Sequence, residues 1–280
     1  MKAQIVSAAL LLLIGGGMQA CKKVPQKANS HTSAGLTENK GIVTQTLSYT
    51  NNGKAYKSFL AFDESKKGEL PVVFIIPEWW GMNDYVKRRA EQLAGLGYMA
   101  VAIDMYGDGK VVDNPDDAGK LAKPFYGNAD LAKQSFETAL KQVQNIQKAN
   151  KTKMAAIGYC FGGAMALNMA RINEPLKGVV SFHGNLMSGV KPVANNVSVL
   201  VLNGADDTFV SKDEIASFKK EMDSAKIQYK FVDYPGAVHS FTNPDATETG
   251  KKYNMKVAYN EAADKASWEE MKGFLNKIFK

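Results

Sequence analysis

Between residues 71 and 233 the chain alternates short, unbroken apolar runs with longer stretches of helical periodicity, and few architectures satisfy that alternation. The runs fall at 71–77 (PVVFIIP), 98–103 (YMAVAI), 153–157 (KMAAI), 177–182, 198–203 (SVLVLN) and 228–233. A strand that is apolar on both faces must be covered on both faces, which calls for a largely parallel sheet with helices packed on each side. The spacing predicts those helices over 84–96, 129–149, 162–172, 212–224 and 261–278. Upstream, two strand-like runs at 42–49 and 54–62 flank Asn51-Asn52-Gly53, the chemistry of a tight hairpin turn. The fold class expected is therefore α/β, a mostly parallel sheet with an antiparallel hairpin at one edge. Residues 106–128, rich in Gly, Asp and Pro, are expected to form a loop or cap over the open end of the sheet.

The first forty residues do not fit that pattern. Met1-Lys2 precede an apolar run at 5–14, too short to span a bilayer as a helix but suited to a signal peptide over residues 1–20. The Ala20-Cys21 junction resembles the lipobox of bacterial lipoproteins, which implies an acylated Cys21; ordinary cleavage near Ala20 is the alternative. Residues 21–40 are polar and aperiodic and read as a tether, leaving 41–280 as a single domain. The chain is thus expected to be exported and lipid-anchored in a bacterial cell envelope, on the periplasmic or surface face. Its net charge of +7 is scattered, with no basic run or aromatic interleaving, so nucleic-acid binding is not expected; a monomer is.

The chemistry concentrates around Gly158-Tyr159-Cys160-Phe161-Gly162-Gly163, which follows a strand run and opens a helix. Small residues on both sides of Cys160 permit the tight strand-to-helix turn of a nucleophile elbow. That turn exposes the central side chain and aims the first helical N–H groups at it, and a helix N-terminus favours a thiolate. The plain alternative is a buried structural cysteine in a glycine-rich turn. Two later strand ends favour the first reading. The run at 198–203 leads into Asp206-Asp207, of which Asp207 is the expected acid and Asp206 the alternative. The run at 228–233 leads to His239, one of three histidines. Nucleophile, acid, histidine is the chain order of an α/β-hydrolase triad. In such a triad Cys160 attacks, His239 moves the proton and Asp207 orients the imidazole.

Glu78 lies in the loop after the first buried run, where an α/β-hydrolase draws its second oxyanion donor. The backbone N–H groups of Trp79 and Phe161 are the candidate pair. A carboxylate beside a thiol opposes thiolate formation, so Glu78 is expected to keep a resting thiol neutral until substrate displaces it.

Four pieces of the chain resemble the dienelactone hydrolase family. They are Glu78 to Gly81 (Glu-x-x-Gly), the Gly-Tyr-Cys-x-Gly-Gly elbow, Asp207-Thr208-Phe209-Val210 and His239-Ser240-Phe241. The resemblance covers roughly 42–278. It implies hydrolysis of a carboxylic ester or lactone through an acyl-thiol intermediate, a Cys160–Asp207–His239 triad with Glu78 gating the thiol, and no metal or cofactor. Members acting on dienelactone hold its carboxylate with arginines, one of them four residues past the triad histidine. Here that position is Asn243, and 106–128 contains no arginine. The paired Trp79 and Trp80 suggest a wider apolar or aromatic acyl pocket, with plain packing as the alternative. The competing functional reading is a non-catalytic lipoprotein that uses the fold to bind a small ligand.

Overall fold

A computed structural model describes residues 41–280; the signal-peptide, tether and Cys21 expectations concern residues outside those described. Eight strands form one sheet: β1 (Ile42–Asn51), β2 (Lys54–Asp63), β3 (Leu70–Ile76), β4 (Met99–Ala102), β5 (Ala149–Tyr159), β6 (Gly178–Phe182), β7 (Ser198–Gly204) and β8 (Tyr229–Tyr234). Their order across the sheet is β1-β2-β4-β3-β5-β6-β7-β8. β1 pairs antiparallel with β2, and β2 antiparallel with β4, while β4 to β8 are mutually parallel. The hairpin forms where Asn52 and Gly53 accept positive φ of 50° and 76°.

Among the described residues seven helices accompany the sheet: α1 (Asp84–Gly95), α2 (Pro115–Gly127), α3 (Ala129–Gln144), α4 (Phe161–Arg171), α5 (Lys212–Ser224), α6 (Ala246–Tyr253) and α7 (Glu261–Ile278). The strand alternation sorts them. Phe74, Val101, Ala156 and Val201 face a core shared with α2, α3, α4 and α5. Their neighbours Ile75, Ala102, Ile157 and Leu202 face a second core with α1 and α7. The apolar runs therefore serve two cores at once, which is why they carry no polar alternation.

Two local readings are corrected, and one further helix is found. Residues 106–128 are not wholly a loop: Asn114 accepts from the Asp117 amide, Pro115 opens α2, and Asp116 and Asp117 occupy its first turn. The same Asn, Pro and Asp that suggest a loop are favourable helix-start residues. The helix expected over 129–149 ends at Gln144, because β5 begins at Ala149, earlier than the run at 153–157 suggests. α6 was not anticipated; its eight residues, with two threonines and a glycine, are too few for a periodic signal.

The join between β5 and α4 places the site. A Cβ on Gly158 would overlap the Gly162 carbonyl, and one on Gly162 would overlap the Ile76 carbonyl of β3. Strand, helix and neighbouring strand thus meet backbone to backbone. Gly162→Ala is expected to destabilise the protein by about 3 kcal/mol, because rigid main chain cannot make room. Gly189→Ala, with nothing within 4 Å of its Cβ, should stay within about 0.5 kcal/mol of the parent. Denaturant unfolding of the two variants checks both values.

Candidate active site

Cys160 occupies the N-cap of α4 with φ 52° and ψ −115°, a conformation that L-residues avoid. Its side chain makes no capping bond, so the sulfur is released from the helix end. Its backbone N–H is shared between the Phe182 carbonyl (3.0 Å) and His183 Nδ1 (3.1 Å). The Phe161 amide, first in the helix, has no intrahelical acceptor. Neither it nor the Trp79 amide donates a hydrogen bond among the described residues. The Trp79 loop is held from outside, where Tyr106 Oη–H donates to the Trp79 carbonyl (3.1 Å). Tyr106 belongs to a turn in which the Asp104 carboxylate accepts from the amides of Tyr106, Gly107, Gly109 and Lys57.

His239 and Asp207 converge on this point from the ends of β8 and β7. His239 Nδ1 lies 2.8 Å from Asp207 Oδ2, and His239 Nε2 lies 3.0 Å from Cys160 Sγ. Asp207 is buried while Asp206 is exposed, so the structure selects between the two aspartates left open by the sequence. Asp207 Oδ1 accepts from the Phe209 amide (2.8 Å), which fixes the carboxylate plane. Burial disfavours a charged His239. The neighbouring Cys160 and Asp207 outweigh it and push the imidazole up to about 10.

After His239 the chain makes an excursion and returns. Val257 bridges back to His239, the Ala258 amide donates to the His239 carbonyl (3.2 Å), and the Asn260 amide to the Phe241 carbonyl (3.0 Å). α6 lies within this excursion. The excursion and the Trp79 loop face each other across a cleft of about 200 Å³ whose lining includes Glu78, Trp79, Trp80, Cys160 and His239.

Glu78 is in the cleft wall, 2% exposed, but it does not hydrogen-bond Cys160. Its Oε2 accepts from Asn243 Nδ2 (2.7 Å), and its Oε1 is buried without a partner. The thiol's partner is His239, so the Glu78–thiol contact expected of a gate is not formed in this structure. Burial raises the Glu78 carboxyl above its usual range, with Asn243 and nearby His239 opposing.

Sequence reasoning missed the support behind the site. His183 Nδ1 accepts from Cys160, so its proton sits on Nε2, 2.7 Å from Thr242 Oγ1. That hydroxyl meets Tyr85 Oη at 2.7 Å. Arg89 donates to Tyr85 Oη and to the Thr242 carbonyl (2.8 Å), and pairs with Asp264 of α7. Burial, and then the charge of His239, hold His183 well below the usual imidazole range, so it is a neutral acceptor. An arginine on the buried face of α1, among Tyr85, Val86 and Ala90, was the available clue, since such a cation needs a buried partner.

The fold and this cluster define an α/β-hydrolase with a cysteine at its elbow. Residues 57–279 match the dienelactone hydrolase family, and the chain belongs to it, an ester or lactone hydrolase of that type. It is 28% identical over 228 residues to "Protein usf" of Aquifex pyrophilus, covering 77% of this chain and 96% of that one. It is 28% identical over 206 residues to the "Putative carboxymethylenebutenolidase" of Aquifex aeolicus (strain VF5), covering 71% and 87%. A solved dienelactone hydrolase-like promiscuous phosphotriesterase from metagenomic libraries is 31% identical and superimposes with a TM-score of 0.78 over 86% of this chain and all of that one.

The Glu78 shift has a sign that can be measured. Above the ordinary carboxyl value of 4.5 the unfolded chain releases the proton while the folded chain keeps it, so stability falls as pH rises through that window. Below 4.5 both states are protonated and the effect vanishes. Glu78→Gln is therefore expected to raise stability by about 1–2 kcal/mol at pH 7.5 and hardly at all at pH 4. Urea midpoints at the two pH values measure the difference.

Proposed function

We propose that the site hydrolyses carboxylic esters or lactones by covalent catalysis at Cys160. The observation that carries the reading is the unbroken line from Asp207 through His239 to Cys160 Sγ, opening on one cleft beside two unengaged amides. His239 Nε2 takes the thiol proton and Sγ attacks the carbonyl carbon. The oxyanion that forms is received by the Phe161 and Trp79 N–H groups, whose donors are spent on nothing else. Collapse expels the alkoxide, which takes the proton from His239 Nε2, and leaves a thioester on Cys160. Water then gives a proton to His239 and attacks the thioester, releasing the acid and returning the proton to sulfur. Asp207 keeps the Nδ1 proton in place throughout. The family match and the name carboxymethylenebutenolidase carried by a relative support an acyl substrate.

Cys160→Ala is expected to reduce turnover of aryl esters and lactones by about 10³-fold or more while unfolding as the parent does. Intact mass spectra at short reaction times should show the parent carrying one acyl group. Undiminished turnover by the alanine variant would overturn the proposal.

We also propose that residues 1–20 act as a signal peptide and that an acylated Cys21, on a tether reaching residue 40, holds the domain at 41–280 on a bacterial envelope membrane. The apolar run at 5–14 and the Ala20-Cys21 junction support this reading. Expressed in a bacterial host, the parent should enter the detergent phase on phase separation and Cys21→Ser the aqueous phase. A parent found in the aqueous phase would contradict anchoring.

A further inference from the structure

The cleft has an unusual charge balance for an enzyme that handles carboxylic acid derivatives. No lysine or arginine is among the residues that line it. Its one acid, Glu78, is buried, and the group that meets it is neutral: Asn243 Nδ2 at 2.7 Å. The orientation of that amide is fixed, because Asn243 Oδ1 accepts from the Asp245 amide (3.1 Å), which leaves only the NH₂ to face Glu78. The cationic potential of His239 is already engaged, by Asp207 on one side and Cys160 on the other. The rest of the lining is uncharged: Trp79, Trp80, Phe209, Met255 and Val257 give it apolar surface, and its polar members, Tyr126, Asn185, Ser240 and Thr249, are neutral.

We infer that the site takes uncharged esters with an apolar or aromatic acyl group and turns away substrates that carry a second, ionised carboxyl, with Asn243 as the residue that sets this preference. The inference rests on the hydrolase reading above. A carboxylate entering this cleft would lose hydration, meet no cation other than the imidazole already engaged by Asp207 and Cys160, and lie near a second carboxyl group. A neutral ester of the same shape loses none of this and covers the tryptophan and methionine surfaces. Burial also favours the neutral form of Glu78, so the wall itself offers an incoming anion no compensating charge.

The test compares monophenyl adipate with its methyl ester, which share a leaving group and differ by one charge, following phenol release at pH 7.5. The parent is expected to favour the methyl ester by about 30-fold or more in kcat/KM, mostly through KM, as for a buried charge left unpaired. Asn243→Arg, which places a cation where the amide stands, should bring the two substrates to within about threefold by improving the charged one. Equal kcat/KM for the two substrates with the parent would overturn the inference and leave the hydrolase reading intact. Undiminished phenol release by Cys160→Ala would overturn the thiol mechanism and leave the selectivity standing. Calorimetric titration of both compounds into Cys160→Ala reads selectivity without turnover: tighter binding of the methyl ester supports the inference, and equal or reversed affinity refutes it.

Discussion

The left-handed backbone at Cys160 is the constraint to which the rest of the structure answers. A non-glycine residue in such a conformation costs about 1–3 kcal/mol and persists only where its surroundings over-determine it. Here they do. Gly158 and Gly162 bring β5, α4 and β3 into main-chain contact, and the Cys160 amide is anchored to Phe182 and His183 together. A cysteine in a relaxed helix start could turn its sulfur back on the helix amides. At this φ it does not, so sulfur and amides stand apart and can address different atoms of one incoming group. The two-sided apolar strands supply the rigidity; a sheet solvated on one face would hold this turn less firmly.

Behind the elbow the polar groups form a single file through the interior. Cys160, His183, Thr242, Tyr85, Arg89 and Asp264 are linked in turn and tie α4, β6, the loop after His239, α1 and α7 together. In a low-dielectric interior such a file is favourable only when each member is satisfied, and the arginine at its end is matched by a carboxylate. Burial holds His183 below the usual imidazole range, whereas Cys160 and Asp207 push His239, whose ring meets it edge to face, above that range. The two histidines touch, and their opposite surroundings separate their protonation.

Much of this was legible in the sequence, and the reasons differ by feature. The apolar runs announce the buried strands because each must be unbroken to serve two cores, and the order Cys160, Asp207, His239 follows from three loops at the same edge of a parallel sheet. Asp206 and Asp207 could not be separated by composition; only burial and the bond to His239 do that. α2 was hidden because Asn, Pro and Asp open helices as readily as they form loops. The Glu78–Asn243 pair spans a sequence separation of 165 residues, and nothing local in either segment refers to the other. Arg89 was visible as a cation on an apolar helix face, but its partner in α7 was not.

The excursion between His239 and Val257 closes on its own starting point: its ends are fixed by bonds to the His239 and Phe241 carbonyls and by the buried bonds of Thr242 and Asn243, and not by the path from there to Val257. Lengthening a loop whose ends are already pinned carries a free-energy change that grows only logarithmically with length. The part of this wall beyond Asn243, α6 included, can therefore be exchanged as a cassette while the imidazole and the buried file through Thr242 keep their place. The architecture separates what lineages can vary, the shape and charge offered to the acyl group, from what they must keep, and a fold partitioned in this way can radiate into new specificities without rebuilding its reactive centre.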